Sequence, residues 1–283
     1  MQTGDKEKIR EAVRERYSKV AKAGGIASGT SPTLCCGSES DISVGLDPAA
    51  SCCNEPELTP ERISAVIGYS KEDMDSVPEG ANLGLGCGNP VAVASLKLGD
   101  TVLDLGSGGG FDCFLASKQV GETGSVIGVD MTPEMISRGR KNAEETGTSN
   151  VEFRLGEIEH LPVADNSADV IMSNCVINLS PDKLSVYRDA LRVLKPGGRL
   201  AISDIVATAQ LPDDIQKDLA LVSACIGGAA TIEDTAKMLK EAGFQEIKIT
   251  PMNEGREIIE KWVPGKNAGA YVVSAYIEAV KPR

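Results

Sequence analysis

Apolar residues fall along the chain in two alternating patterns. Short dense runs lie near 101–105, 125–130, 151–155, 168–173 and 198–204, too short for helices and consistent with buried strands. Between them, near 111–119, 133–146 and 182–195, apolar positions recur at helical spacing with polar residues on the other face. Strands that alternate with helices need crossover connections, which make the strands parallel. The pattern therefore predicts an α/β fold, a doubly wound Rossmann-like sheet. Ahead of this core an amphipathic helix is expected over 5–23. A short helix opens at Thr59, a capping residue followed by Pro60, and Asn89 caps another over 90–96. Behind it come an inserted helix over 212–228 and a helix over 231–242 capped by Thr231. Two strands over 244–250 and 270–280 then close the sheet, the last one antiparallel. Three regions follow: an N-terminal extension (1–80), the core (81–208) and a closing region (209–283). No internal repeat or low-complexity tract interrupts them.

The first strand runs into Asp104-Leu-Gly-Ser-Gly-Gly-Gly110, and the second, Ser125-Val-Ile-Gly-Val-Asp130, ends in a carboxylate. Gly106, Gly108 and Gly110 let the backbone turn sharply and approach a ligand with no Cβ in the way. An acid at the end of the second strand can accept hydrogen bonds from the two ribose hydroxyls of an adenosine. Strand, turn, helix, strand and acid together predict a nucleoside-containing cofactor. An acid directly before the turn departs from the dinucleotide pattern, in which pyrophosphate sits at a bare helix N-terminus.

Charge removes one class of substrate. With 29 Lys and Arg against 41 Asp and Glu the net charge is −12, and no basic cluster is present for phosphate contacts, so a nucleic-acid acceptor is not expected. No apolar run has the length of a bilayer-spanning helix, and the charged N-terminal helix lacks the apolar stretch of a signal peptide. A cytoplasmic protein without a membrane partner is the expectation. In such a compartment the 8 cysteines read as metal-binding or catalytic groups and not as a disulfide scaffold. Cys175 falls at the mouth of the fourth strand, where open α/β sheets bind ligands. Cys87 lies in a glycine-rich loop before the core, and Cys225 begins Cys-Ile-Gly-Gly228. Cys113, on the helix after the turn, reads as a small packed hydrophobe. Cys35-Cys36 and Cys52-Cys53 sit in a Gly/Ser/Thr-rich stretch, 24–56, and do not match zinc-ligand spacing. Relay or redox work suits them better.

The glycine turn resembles the S-adenosylmethionine motif of class I methyltransferases. That resemblance implies that Asp104 faces the cofactor's methionine moiety and Asp130 its ribose, with Gly106, Ser107, Gly108, Gly110 and Met131 as further cofactor-binding residues. It also implies Glu157 and Ile158 at the adenine, and Asn174 beside the methyl donor. Leu194-Lys-Pro-Gly-Gly-Arg-Leu200 resembles the turn before that family's fifth strand. Ala81-Asn-Leu-Gly-Leu-Gly-Cys-Gly-Asn-Pro90 and Ser173-Asn-Cys-Val-Ile-Asn-Leu-Ser-Pro-Asp182 narrow the match. From Tyr17 to the C-terminus the chain resembles the arsenite methyltransferases. The resemblance implies that Cys175 and Cys225 bind trivalent arsenic and that Cys87 is a third thiol. It also implies an upstream cysteine that pairs with Cys87 as a disulfide, for which Cys52 and Cys53 lie nearest the expected place and Cys35-Cys36 remain alternatives. The expected substrates are arsenite or its glutathione complexes, with thioredoxin or glutathione as reductant. Two other readings stay open: a quinone-type or small-metabolite methyltransferase, and a thiol protein that sequesters arsenic or antimony without transfer. The single histidine, His160, falls outside the motifs that face the methyl group, and Trp262 reads as a packing residue.

Overall fold

A computed structural model of the chain describes residues 3–25, 59–252 and 270–283. Cys35, Cys36, Cys52, Cys53 and Trp262 lie outside these residues. Among the described residues seven strands form one sheet: β1 (Thr101–Leu105), β2 (Ser125–Asp130), β3 (Val151–Leu155), β4 (Ala168–Asn174), β5 (Leu194–Ala207), β6 (Gln245–Met252) and β7 (Val272–Val280). Their order is β3-β2-β1-β4-β5-β7-β6. The first five run parallel and β7 is antiparallel to both neighbours, as expected.

The helices are α1 (Thr3–Ala23), α2 (Pro60–Val66), α3 (Lys71–Asp75), α4 (Pro90–Val93), α5 (Phe111–Val120), α6 (Pro133–Thr146), α7 (Lys183–Val193), α8 (Asp213–Lys217), α9 (Leu219–Ser223) and α10 (Ile232–Ala242). Period-two alternation divides each central strand between two cores. Leu103, Leu105 and Ile171 face α7 and α10, through Val186, Ala190 and Leu239. Val102, Val170 and Met172 face α5 and α6, through Phe114, Val120 and Ile136. The predicted caps form: Thr59 accepts from the Arg62 N–H, Asn89 from Ala92 and Thr231 from Asp234.

Two local expectations change. Helix α4 stops after Val93 and does not reach residue 96. The segment expected as one inserted helix is two, because the Asp218 carboxylate accepts from the Ala220 and Leu221 N–H groups and so starts a new helix in mid-segment.

The chain winds outward through β1, β2 and β3, then returns to lay β4 on the other side of β1. That reversal opens a crevice beyond the carboxyl ends of β1 and β4, where open α/β sheets take their ligands. Leu105 pairs with Ser173, so the two strands end almost level. Helix α1 lies across this end of the sheet. Its Val13 and Ala21 are buried, and Lys6, Arg10 and Lys22 form ion pairs with Asp182, Glu157 and Glu159, and Glu134. Partly exposed pairs contribute about 1 kcal/mol or less each, so burial does most of the holding.

Candidate active site

One cavity occupies the crevice. Gly106 and Gly108 line it from the glycine turn, Asp130 and Met131 from the end of β2, Ile158 from the loop after β3, and Asn174 and Cys175 from the end of β4. Cys225 closes the far side, and Val13 and Tyr17 of α1 form its roof.

At the turn, Gly106 has φ +70°, and a Cβ there would lie 2.3 Å from Val176 Cγ2, so the position excludes other residues. The Asp130 carboxylate is fixed from behind: Oδ1 accepts the Thr132 N–H (2.8 Å) and Oδ2 the Gly108 N–H (3.0 Å). Burial pushes this carboxyl up, and the two N–H groups oppose the rise. Each oxygen keeps acceptor capacity toward the cavity, as recognition of a ribose diol requires. Ser107 Oγ is buried without a partner. This donor and acceptor set fits an adenosine-bearing cofactor. The remaining residues that the resemblance implied sit around the cavity and not on its wall. Asp104 is buried under the turn, where it accepts the Cys113 thiol (3.2 Å), and its carboxyl is raised well above the usual range by burial and then by Asp112. Cys113 is therefore a hydrogen-bonding group as well as a packed one. Gly110 caps α5 at φ +94°, and Glu157 turns its carboxylate to Arg10 and Arg14 of α1.

The three thiols come from three distant segments and are all buried and free. Cys175 directly follows β4 at φ +59° and donates its N–H to Ser203 O (2.7 Å). Cys225 follows α9 at φ +63° and donates its thiol to the Cys175 carbonyl (2.7 Å). A side chain held in the left-handed region costs on the order of 1–3 kcal/mol, and here it occurs at two of the three sulfur-bearing residues. The Cys175 thiol interacts with both Cys225 and Cys87, which together with burial raise it well above the ordinary thiol value. Burial raises Cys87 as well. The Cys87 loop is held by Asn174: Oδ1 accepts the Cys87 N–H (3.0 Å), while Nδ2 donates to Gly88 O (2.8 Å), Tyr69 Oη (2.9 Å) and Asp112 Oδ2 (3.2 Å). Tyr69 in turn donates to Asp112 Oδ1 (2.6 Å), and burial pushes the Asp112 carboxyl up to about 6.

Sequence reasoning missed Tyr69, Asp112, Asp204 and the contribution of Tyr17. Asp204 carried a signal, an acid near the carboxyl end of β5 like Asp130 at the end of β2. Tyr69 and Tyr17 carried none, since only the tertiary fold brings them to the strand ends.

This sheet order, with a glycine turn on β1, an acid on β2 and a cavity at the switch point, defines a class I S-adenosylmethionine-dependent methyltransferase. Residues 96–243 match the model of the methyltransferase domain family. The arsenite methyltransferase of Halobacterium salinarum is 51% identical over 278 residues, covering 98% of this chain and 68% of its own. That of Aquipseudomonas alcaligenes is 46% identical over 171 residues, 58% of this chain and 49% of its own. Among solved structures, the arsenic(III) S-adenosylmethionine methyltransferase of Chlamydomonas reinhardtii is 32% identical. It covers 78% of this chain and 72% of its own, with a TM-score of 0.55. The chain belongs to the arsenite methyltransferase family. It spans about two thirds of the Halobacterium relative and about half of the Aquipseudomonas one.

Proposed function

We propose that the protein methylates trivalent arsenic held by the thiols of Cys87, Cys175 and Cys225. The observation that carries this reading is the convergence of three buried thiols: Cys175 and Cys225 line one end of a cavity whose other end is the glycine turn and Asp130, and Cys87 lies within 4.8 Å of Cys175. Ordinary methyl acceptors need no such set, whereas soft arsenic selects sulfur ligands. S-adenosylmethionine, when bound, supplies a methyl group on a cationic sulfur.

The residues of the chain do three things. Asp130, with Gly106 and Gly108, holds and orients the cofactor's nucleoside. The thiols hold arsenic as a pyramidal three-sulfur complex with its lone pair free, so no general base is required. Helix α1 roofs the cavity with Val13 and Tyr17 and excludes water. Fixing both partners in one cavity supplies proximity, an effect worth roughly 7–11 kcal/mol when alignment is good.

Transfer takes arsenic formally to the pentavalent state, and its return needs two electrons. A thiol pair becoming a disulfide provides them, with Cys87 and an upstream cysteine, Cys52 or Cys53, as the pair. Thioredoxin or glutathione then restores the thiols, as expected for a protein of the reducing cytoplasm. Among the described residues no helix is long and apolar enough to cross a membrane.

Arsenic-edge X-ray absorption on the protein with one equivalent of arsenite tests the site. Three sulfur neighbours and no oxygen are expected, and a first shell containing oxygen would contradict the assignment.

The raised thiols also set a pH dependence. Cys87 and Cys175 keep their protons through neutrality, because a group raised above its ordinary value titrates only at higher pH. Arsenous acid condenses with three thiols to give the trithiolate and three waters, so neither residue releases a net proton. Arsenite affinity should vary less than about threefold between about pH 6 and 8. A divalent thiophilic cation must displace the protons, and its affinity rises with pH. Equilibrium dialysis with elemental analysis at both ends of the range measures this. A change of about tenfold or more per pH unit would mean that the thiols bind as released thiolates.

A further inference from the structure

Asp204 stands beside the Cys87 and Cys175 thiols. One of its carboxylate oxygens and the sulfurs of Cys87 and Cys175 all lie within 4.8 Å of one another, in buried surroundings. Four N–H groups hold it: the Ile177 and Asn178 backbones (2.9 and 3.4 Å) and Asn178 Nδ2 (2.9 Å) donate from the turn after Cys175, and the Ile205 backbone (2.7 Å) donates from β5. Four donors take up the acceptor capacity of a carboxylate, so Asp204 is neither a free ligand nor a free base. What it offers is a fixed negative charge. All four of these partners are donors, the set an ionised carboxylate takes, and the Lys183 ammonium and the backbone donors oppose the upward push of burial.

We infer that Asp204 is a charge-stabilising residue for methyl transfer, an anion placed beside the Cys87 and Cys175 sulfurs to favour positive charge arriving on arsenic. The inference rests on the arsenic reading above. In the transfer, arsenic's lone pair forms the bond to the methyl carbon, and the carbon–sulfur bond breaks with its electron pair going to the cofactor sulfur. The sulfonium charge disappears and an equal charge appears on arsenic, now formally pentavalent and still carried by its three sulfur ligands. The net charge is unchanged but has moved toward the thiols. An anion already oriented there lowers the transition state more than the ground state, where the arsenic trithiolate is neutral. Neutral arsenite binding gains little from it, which separates this role from ligation. Lys183, a nearby half-buried cation, weakens the same field, and its own interaction with Asp204 is the main charge effect opposing its desolvation.

Full-length Asp204→Asn and Asp204→Glu proteins test this with three readouts. These are the single-turnover rate of labelled methyl transfer to arsenite, the arsenite dissociation constant, and the ratio of affinities for S-adenosylmethionine and its neutral product S-adenosylhomocysteine at saturating arsenite. The Asn variant is expected to slow transfer at least about tenfold with arsenite affinity within about threefold of native. It should also lower the cofactor-to-product affinity ratio, which reads the field without turnover. The Glu variant disturbs the four donors at least as much but keeps the charge, so it should transfer faster than Asn. Transfer within about twofold of native in the Asn variant, or a Glu variant no faster than Asn, overturns the inference. If the Asn variant loses arsenite binding altogether, Lys183→Met decides, because it leaves all four donors to Asp204 in place and removes the opposing charge. Faster transfer than native supports the role and slower or equal transfer overturns it. A native chain that binds arsenite and methylates none of it would count against the underlying reading instead.

Discussion

Cys175→Ser is expected to abolish arsenite methylation while leaving the binding of S-adenosylmethionine within about twofold of native. The hydroxyl is a hard ligand, and trivalent arsenic prefers sulfur. The lost ligand is also the one that bridges the others, since Cys175 interacts with Cys225 and with Cys87. Removing one arm of a three-point chelate costs the effective concentration that the remaining arms gave it, on the order of a hundredfold or more in arsenite affinity. Serine occupies the same left-handed backbone at about the same cost as cysteine, and the N–H bond to Ser203 O is a backbone bond that the change does not touch. The glycine turn and Asp130 lie on other strands, so cofactor affinity is the internal control. A variant with native methylation would remove Cys175 from the ligand set, and one that had lost cofactor binding as well would indicate collapse of the crevice.

Gly228→Ala should produce almost as large a defect without touching a sulfur. A Cβ at position 228 would lie 2.1 Å from the Asn178 carbonyl oxygen, in the turn that follows Cys175. That oxygen is backbone and cannot rotate away, so the segments carrying Cys225 and Cys175 must separate. Overpacking of this kind costs about 1–3 kcal/mol. Expressed in arsenite affinity, that is roughly fivefold to 150-fold. Calorimetric titration with arsenite and, separately, with S-adenosylmethionine measures it. Arsenite binding should weaken and cofactor binding stay the same. Equal binding of arsenite by variant and native protein would mean that the close approach of the two segments does not hold the thiols together. The second glycine of Cys225-Ile-Gly-Gly228 thus has a physical purpose, since it lets two thiol-bearing segments meet.

The sheet was readable from the chain because its signals are local. A short strand with four buried residues in a row, a turn that needs glycine, an acid at the next strand's end and a capping threonine each announce themselves within a few positions. The single inserted helix expected over 212–228 failed for an equally local reason, an aspartate that caps a second helix from inside the run. The site was readable in part. Cys175 was legible from its place at a strand mouth, and Cys87 and Cys225 only through resemblance, since nothing near them predicts that they meet. Their meeting depends on two residues in the left-handed region and on contacts between segments some fifty to ninety residues apart. The clamp of Tyr69, Asp112 and Asn174 and the anion at Asp204 are of the same kind. Each is a tertiary contact between groups with no common period in the sequence, visible once the strand order has set β1, β4 and β5 side by side.

The most direct test of the account is chemical. The native chain is incubated with methyl-labelled S-adenosylmethionine, arsenite and excess thiol, and the products are separated and followed by both label and arsenic content. The account predicts that label and arsenic migrate together as methylated arsenic, formed at a rate that saturates with arsenite. Arsenite bound tightly and recovered unmethylated would contradict it and leave a thiol protein that sequesters arsenic.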